Sequence, residues 1–384
     1  MADGLFMVHG FGNVGFVQGR GEVLVVDVSS PMTASMALGA LRKQTEDRIC
    51  TIVYSHGHFD HCGGIGRFLD DAEQRGHAPP EIWAHQNVLS RFARYERTRG
   101  WNDVINLAQF GLDASTRLFP ETHPRPNHTY AEREVIELSE EPVLLRHAEG
   151  ETNDATWVWL PERRAALVGD LVIHSLPNLG NPNKPRRYTL GWAEALDAIA
   201  SERPDHLIPG HGDPVSGDLV LELLTETARA LRYLHDAVVD RLNAGQWPDE
   251  IVDADLQLPD DLAQKPYLQP IYGCASFVVQ ELLREHAGWW GGDPARLFPA
   301  TRHEAARDLV ELAGREAVQQ RAAALLDEGE IRRALHLAVL SWRANPDGAD
   351  GKKQLVQVLE AAIEAEPSFI AQSFLRQAIR QVTG

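Results

Sequence analysis

The chain has 384 residues, of which 43% are hydrophobic and 24% are charged, and its formal net charge at pH 7 is -18. This length exceeds that of a typical single domain and allows two or three compact units with buried cores. The acidic balance, without clustered Lys and Arg, argues against nucleic-acid binding, and no apolar run is long enough for a membrane span. An anionic substrate would therefore need local positive charge, which metal ions can supply.

We predict a cytoplasmic protein by default, because no export signal is visible; the cysteine count by itself does not fix the compartment. The first residues, MADGLFMVHGFGN, contain no basic region followed by a long apolar stretch, so no signal peptide is predicted, although a trimmed signal stays open. Cys50, Cys62 and Cys274 are too few and too scattered for a disulfide framework. We interpret Cys62 as a small packed side chain rather than as a nucleophile.

The first part of the chain is rich in predicted strands. GEVLVVDVSS and CTIVYSH are predicted to be buried strands, the stretch after the second has helical spacing, and EIWAHQ follows as another strand. PVLLRHAEGE, ATWVWLP and RAALVGDLVI are three further apolar runs separated by polar turns, and DHLIPGHGDPVSG closes this part. The order of strands and helices predicts layered α and β structure.

From about residue 218 the hydrophobic period changes to that of helices. Leu231, Leu234, Val238 and Leu242 fall on one helical face. Two helix-sized segments near residues 325–365, joined by RANPDGADG, suggest a hairpin of the tetratricopeptide kind, but ordinary helices packed on a neighbour are the favoured interpretation. We therefore predict a first domain over residues 1–217 and an all-helical domain over residues 218–384.

The densest chemical signal is YSHGHFDHCGG, residues 54–64, in which three histidines and one aspartate lie within six positions. His56 and His58 are two apart at the end of a predicted strand, so their side chains can project in the same direction and share one ion. Asp60 and His61 fall where the chain turns into a helix, which directs them towards a second position nearby. Because imidazole and carboxylate groups suit zinc and similar ions, the spacing predicts two adjacent half-sites.

The pattern H-x-H-x-D-H after an apolar strand resembles the signature of the metallo-β-lactamase superfamily. The resemblance implies an αββα sandwich of the α+β class, followed here by an all-helical domain. It also implies further ligands in AEGETND, LVGDLV and IPGHGDP, in the order that the superfamily requires. The implied ligands are His56, His58 and Glu151 for one ion and Asp60, His61 and His211 for the other, with Asp170 between them.

Glu151 narrows the resemblance to the alkyl-sulfatase branch. AEGETND stands where most members of the superfamily carry Gly-His-Thr, whereas alkyl sulfatases carry a glutamate there and a second carboxylate nineteen residues later, as Glu151 and Asp170 do here. The stretch VHGFGNVGFVQGRGEVLVVDVSS is also similar to the start of these enzymes, and YGCASFVVQELLREHAGWWGGDPARLFPA is similar to the entry of their helical dimerisation domain. The resemblance therefore implies a homodimer formed through the helical domain.

Two features depart from the alkyl-sulfatase pattern. Asp170 stands where these enzymes usually have a glutamate in an Ala-Glu-Asn context. In addition, HSLPNLGNPNKPRRYTLGW does not match the segment that supplies an arginine and a histidine for the sulfate group. Arg186, Arg187 or Tyr188 could substitute in substrate binding, and His174 is a further candidate.

The implied chemistry is hydrolysis by a metal-bound hydroxide. Two divalent ions, for which we predict Zn²⁺, lower the pKa of bound water from about 16 towards about 7, and Asp60 and Asp170 orient the nucleophile as catalytic residues. The resemblance favours a small alkyl sulfate ester as the substrate. A lactone, phosphoester or thioester would suit the same metal site. A metal-stabilised scaffold that binds a partner through its helices is the non-enzymatic alternative.

Overall fold

The computed structural model describes residues 2–112 and 119–384, and two six-stranded sheets form its centre. Short runs of Val, Ile and Leu, bounded by glycines and polar turns, form most of the strands. The strands are β1 (Leu5–Val8), β2 (Val14–Gln18), β3 (Glu22–Val26), β4 (Arg48–Val53), β5 (Glu81–His85) and β6 (His128–Tyr130) in the first sheet, and β7 (Arg133–Leu138), β8 (Glu141–Ala148), β9 (Ala155–Leu160), β10 (Ala165–Gly169), β11 (His206–Pro209) and β12 (Val215–Ser216) in the second.

Strand direction changes within each sheet. In the first sheet, β1, β2 and β3 are antiparallel, whereas β3, β4, β5 and β6 run parallel. In the second sheet, β7 to β10 form an antiparallel meander, β11 runs parallel to β10, and β12 is antiparallel to β11. As a result, β3 and β4 end at one edge of the first sheet, and β8, β10 and β11 end at one edge of the second.

Helices cover the outer faces of both sheets and form the rest of the chain. Those within the sheet region are α1 (Ala34–Gln44), α2 (Phe59–Cys62), α3 (Ile65–Gln74), α4 (Asn87–Arg97), α5 (Arg99–Phe110) and α6 (Thr189–Ser201). Those that follow are α7 (Asp218–Asn243), α8 (Pro248–Asp253), α9 (Asp260–Ala263), α10 (Ala275–His286), α11 (Arg302–Ala313), α12 (Arg315–Asp327), α13 (Ile331–Ala344), α14 (Ala349–Ala365) and α15 (Phe369–Thr383), with 3-10 turns at Pro266–Leu268 and Pro294–Arg296.

Three apolar cores lie between the layers. One fills the space between the sheets, with Val53 of the first sheet and Val158 of the second among its members. A second joins the outer face of the first sheet to α1, α3 and α4, and a third joins the outer face of the second sheet to α6 through Trp192. This order of helix, sheet, sheet and helix confirms the predicted αββα sandwich followed by a helical region.

The third core continues into the helical region. Leu231, Leu234 and Val238 of α7 are fully buried in it, which confirms the predicted apolar face of this helix. The same core includes Leu282 of α10, so apolar packing crosses the predicted boundary at residues 217 and 218. A separate core packs α12, α13, α14 and α15 together. Among the described residues, no helix is long and apolar enough to cross a membrane.

Candidate metal centre

The candidate metal centre lies where strands of both sheets end at a common level. The backbone N–H of Thr156 donates to the carbonyl of Ser55 at 2.6 Å and so connects the two sheets. Within the second sheet, the N–H of Gly210 donates to the carbonyl of Gly169 at 2.7 Å. The predicted ligands follow these strand ends: His56, His58, Asp60 and His61 come after β4, Glu151 after β8, Asp170 after β10 and His211 after β11.

All seven predicted ligand side chains come together there, around Asp170. Oδ2 of Asp170 lies 3.7 Å from Nε2 of His56, and its Oδ1 lies 3.2 Å from Nε2 of His61 and 3.3 Å from Nε2 of His211. Asp170 therefore lies between two groups of side chains. His56, His58, Glu151 and Asp170 form one group and Asp60, His61 and His211 the other, and within each group the potential ligand atoms all lie within 4.8 Å of one another.

Several of these atoms are buried without a hydrogen bond. Nε2 of His56, Nε2 of His61 and Oδ1 of Asp170 have no hydrogen-bond partner in the part of the chain that the structure describes. Leaving one such atom unsatisfied costs about 1–3 kcal/mol, so three at one place call for a ligand that compensates them. Imidazole nitrogens and carboxylate oxygens are ligands that divalent metal ions prefer, and the site fits such ions.

Asp27, which follows β3, orients two of the histidines. Its Oδ2 accepts hydrogen bonds from Nδ1 of His61 and from the hydroxyl of Ser55, both at 2.7 Å. Oγ of Ser55 in turn lies 3.0 Å from Nδ1 of His56. Asp27 has φ +62°, a left-handed conformation that aspartate and asparagine adopt more readily than most residues. These contacts occupy the Nδ1 atoms and leave both Nε2 atoms available for a metal ion.

Asp154, in the same turn as Glu151, holds the backbone between His56 and His58. Its Oδ2 accepts the N–H of Gly57 at 3.0 Å, and its Oδ1 pairs with the guanidinium of Arg91 at 2.8 Å. Burial disfavours the charged form of Asp154, but Arg91, His56 and the hydrogen bonds from Thr152 and Gly57 together outweigh this effect and lower the pKa of the carboxyl group. A Cβ atom on Gly57 would lie 2.8 Å from the side chain of Arg91, so glycine allows this close packing.

For His56 and Asp170 the electrostatic environment favours the protonation states that bind metal, whereas, against the effect of burial, the carboxylates of Asp170 and Asp60 raise the pKa of His61, and that of His211 to about 10. Burial and the neighbouring His61 lower the pKa of His56 to about 4, so this imidazole is neutral at pH 7. Burial disfavours the charged form of Asp170, but His61 and His211 together hold its pKa well below the usual range. A neutral imidazole and an ionised carboxylate are the forms that ligate a cation.

Glu151 is held by an arginine that was predicted to bind substrate. Arg187 is buried and forms an ion pair with Oε1 of Glu151, and Nδ2 of Asn178 donates to the same oxygen at 2.8 Å. Burial raises the pKa of Glu151 to about 8, against the opposing effect of Arg187. The main described contact of Arg187 is therefore with a candidate metal ligand.

The other three side chains predicted to bind substrate have contacts elsewhere. Arg186 pairs with Glu285 at 2.7 Å, and its guanidinium lies 5.3 Å from the centre of the Tyr188 ring. Nε2 of His174 lies 2.6 Å from the carbonyl oxygen of Asp213. Among the described contacts, none of these joins Arg186, Tyr188 or His174 to a candidate metal ligand. Their role in substrate binding stays a prediction.

Lys184, which the sequence analysis did not single out, lies within electrostatic reach of the metal ligands. Its Nζ donates to Oδ1 of Asn106 on α5 at 2.6 Å. Burial and the nearby Arg187 lower the pKa of Lys184 to about 7, while Glu151 and Asp60 act in the opposite direction. Lys184 lies in the loop between β10 and α6. Nothing in the local sequence of this loop distinguishes Lys184 from a solvated lysine, because the residues that surround it come from distant segments.

A row of aromatic rings leads away from the metal ligands. The ring of Phe11 lies 6.3 Å from that of His211 and 5.5 Å from that of Phe110, measured between ring centres. Phe110 is 6.5 Å from Phe369, which stacks on Tyr272 at 6.0 Å. Phe11 and Phe369 are partly open to solvent, with exposed fractions of 43% and 38%. The row provides an apolar surface that begins beside a candidate metal ligand.

Comparisons with known proteins identify both parts of the chain. Residues 7–211 match the model of the metallo-β-lactamase superfamily, and residues 248–383 match the model named alkyl sulfatase dimerisation. A linear primary-alkylsulfatase from Pseudomonas sp. is 28% identical over 348 residues, which are 85% of this chain and 65% of that protein. An (R)-specific secondary-alkylsulfatase from Pseudomonas sp. is 27% identical over 399 residues, 94% of this chain and 59% of that protein. The chain thus spans about three fifths of the length of these relatives.

A solved structure shows the same fold. The stereoselective inverting sec-alkylsulfatase Pisa1 from Pseudomonas sp. superposes with a TM-score of 0.86 at 23% identity, over 99% of this chain and 64% of that one. The likeness extends beyond the sandwich into the helical region, because it covers nearly the whole chain. Together with the superfamily model, which matches more than half of the 384 residues, it confirms the resemblance: the chain belongs to the metallo-β-lactamase superfamily.

Proposed function

We propose that this protein is a metal-dependent hydrolase of sulfate esters and that alkyl sulfates are its substrates. The observation that carries the proposal is the convergence of seven candidate ligand side chains, with Asp170 between the other six, in a chain whose relatives include alkylsulfatases. When bound, two divalent ions, in our proposal Zn²⁺, would lower the pKa of a water molecule and stabilise negative charge on the substrate.

Asp60 and Asp170 are the proposed catalytic residues. Oδ2 of Asp60 lies 3.4 Å from Nε2 of His211 and 3.6 Å from Nε2 of His61. Burial disfavours its charged form, but these two histidines lower the pKa of Asp60, so its carboxylate is ionised at neutral pH. Two ionised carboxylates, both close to Nε2 of His211, can accept the hydrogen bonds of an attacking water molecule and orient it.

We infer that Lys184 binds the sulfate group of the substrate. A sulfate anion bound beside Lys184 would favour its protonated form, against the burial that lowers its pKa to about 7. An ammonium group has three donors, and one of those of Lys184 is used by Asn106, so two are available to sulfate oxygens. The two arginines of the same loop are already engaged, Arg187 with Glu151 and Arg186 with Glu285. Among the described side-chain contacts, both arginines are paired with a carboxylate, whereas the ammonium group of Lys184 contacts the neutral amide of Asn106. The positive charge of Lys184 is therefore available to an anion.

The aromatic row supplies a surface for the alkyl chain. Phe11, Phe110 and Phe369 extend it from His211 towards the helical region. Because burying apolar surface is favourable at about 25 cal/mol per Å², such a row favours substrates with a hydrocarbon tail. The metal ligands alone would also suit a lactone, a phosphoester or a thioester. Lys184, which interacts electrostatically with Glu151 and Asp60, and the alkylsulfatase relatives favour an anionic sulfate ester.

Sulfate release from medium-chain alkyl sulfates tests the proposed reaction. We expect the full chain, supplied with Zn²⁺ or Mn²⁺, to release inorganic sulfate, measured by ion chromatography. Asp170→Asn removes the carboxylate between the two ligand groups and is expected to reduce the rate by about 100-fold or more. If no alkyl sulfate in the panel yields sulfate while a lactone, phosphoester or thioester is hydrolysed, the substrate assignment is wrong.

The role of Lys184 is tested by a change in KM. Lys184→Ala removes a charge-assisted hydrogen bond worth about 1.5–3 kcal/mol, so we expect KM for an alkyl sulfate to rise by about 10- to 100-fold. Lys184→Arg keeps the charge and is expected to retain part of the affinity. Lys43→Ala, on the exposed side of α1, is the matched control and should leave KM unchanged. An unchanged KM in Lys184→Ala would contradict the assignment.

We further propose that the chain forms a homodimer through its helical region. Three large apolar side chains between α10 and the end of α11 are mostly exposed, namely Trp289 at 81%, Phe298 at 94% and Leu312 at 86%. Exposed apolar groups that adjoin one another mark surfaces that contact another protein, and we propose that these three belong to one such surface. All three lie within residues 248–383, which match the alkyl sulfatase dimerisation model, and this match supports a second copy as the partner.

The dimer surface is tested by sedimentation velocity. We expect the wild-type chain to sediment as a dimer and Phe298→Asp to shift it towards monomer, because a charge in an apolar interface is costly to bury. Leu219→Asp changes a leucine on α7, outside the matched residues, that is 45% exposed, and is expected to keep the dimer. A monomeric wild-type chain, or a dimer that Phe298→Asp leaves intact, would refute this surface.

A further inference from the structure

A buried glutamate of the helical region closes a loop that reaches the metal centre. Glu281 lies on α10 and is 0% exposed. Its Oε2 accepts the N–H of Gly180 at 3.0 Å, and its Oε1 accepts the N–H of Arg187 at 2.9 Å. Because these two N–H groups lie at the two ends of residues 180–187, one carboxylate holds both ends of this loop, which we call the Glu281 loop.

Arg284, on the same helix, adds a third attachment. It forms an ion pair with Glu281, and its Nη1 donates to the carbonyl of Lys184 at 3.2 Å. A buried carboxylate is costly unless its oxygens have partners, and here two backbone N–H groups and one guanidinium supply them. Helix α10 therefore contacts the Glu281 loop at its beginning, its middle and its end.

The start of the Glu281 loop packs directly on the backbone of α10. Gly180 has φ +67°, and a Cβ atom at this position would lie 1.6 Å from the carbonyl oxygen of Phe277. Only glycine combines this left-handed conformation with so close an approach. This contact between Gly180 and Phe277 does not involve the Glu281 carboxylate. It independently shows that the Glu281 loop packs on α10.

Arg187 connects this attachment to the metal centre. Its backbone N–H is held by Glu281, while its guanidinium forms the ion pair with Oε1 of Glu151 and donates to the carbonyl of Asn178. Nδ2 of Asn178 donates to the same oxygen of Glu151. Glu151 belongs to the ligand group of His56 and His58, and the orientation of its carboxylate depends on where the Glu281 loop places Arg187, which also contacts Asn178.

We propose that Glu281 is a positioning residue for the metal ligand Glu151 and acts through Arg187. This inference rests on the metal centre of the proposed function and gives the helical region a second role, in the metal site of its own chain. Glu151 belongs to only one of the two ligand groups. Loss of Glu281 should therefore weaken one metal site and spare the site formed by Asp60, His61 and His211.

Cobalt binding to the chelator-treated full chain tests this role without any substrate. Glu281→Gln has the same shape but turns one acceptor oxygen into an amide donor that faces a backbone N–H. We expect the visible absorption of the wild-type chain to show two cobalt-binding steps. In Glu281→Gln, the cobalt affinity of one step should fall by about 10- to 100-fold, and the affinity of the other should stay unchanged. Glu281→Asp keeps both acceptor oxygens, so we expect it to bind cobalt at the affected step more tightly than Glu281→Gln does.

Two further variants separate positioning from general destabilisation. Glu285→Gln, one turn further along α10, removes a carboxylate that pairs with exposed Arg186, and both steps should stay unchanged. Arg187→Met should weaken cobalt binding at the same single step. Adding Glu281→Gln to Arg187→Met should cause no further loss of cobalt affinity, because Glu281 acts on Glu151 only through Arg187.

Three results would overturn the inference: Glu281→Gln without effect, equal weakening of both steps, or a full additional loss in the double variant. A wild-type chain that binds two cobalt ions but releases no sulfate would contradict the proposed reaction and not this role of Glu281.

Discussion

Buried negative charge around Asp170 is the constraint on which the rest of the structure depends. Oδ1 of Asp170 is buried and accepts no hydrogen bond from residues 2–112 or 119–384, and the carboxylates of Asp60 and Glu151 lie in the two adjoining ligand groups. Carboxylates gathered in a low-dielectric site repel one another and need cations to balance them. The strand ends of two sheets and one helical segment bring these carboxylates together at one place, where cations can compensate their charge.

Three further buried carboxylates support the site by the same physical means. Asp27 orients His61 and Ser55, Asp154 holds the backbone of Gly57, and Glu281 holds the Glu281 loop. Each has its oxygens satisfied by backbone N–H groups or by charged or hydroxyl side chains. They come from the end of β3 in the first sheet, from the turn after β8 in the second sheet and from α10, so both sheets and the helical region contribute one each. The helical region therefore takes part in the site in addition to the dimer surface that we propose for it.

The fold and the candidate ligands could be predicted from the sequence for different reasons. His56, His58, Asp60 and His61 are local, because a strand end followed by a short helix brings them together within six residues. Apolar periodicity separated the sandwich from the helices, and the structure and comparisons confirm that architecture. Glu151, by contrast, was recognisable only through the family resemblance. The assignment of ligands to two ions stays a prediction.

The residues that support the candidate metal ligands could not be recognised from a local sequence pattern. Glu281 is 101 residues from Gly180 along the chain, and Asp154 is 97 residues from Gly57, so neither contact belongs to a local pattern. Arg187 illustrates the consequence. In the sequence it is one of two adjacent arginines that could bind an anion, whereas in the structure burial beside Glu151 engages its guanidinium with a candidate metal ligand.

The metal content of the purified full chain tests the central claim most directly. Inductively coupled plasma mass spectrometry, before chelation and after reconstitution with Zn²⁺, would count the ions bound per chain. The account predicts two equivalents of divalent metal, both lost to a strong chelator and both restored on reconstitution. A chain that is correctly folded, carries no stoichiometric metal and takes up none on reconstitution would contradict it.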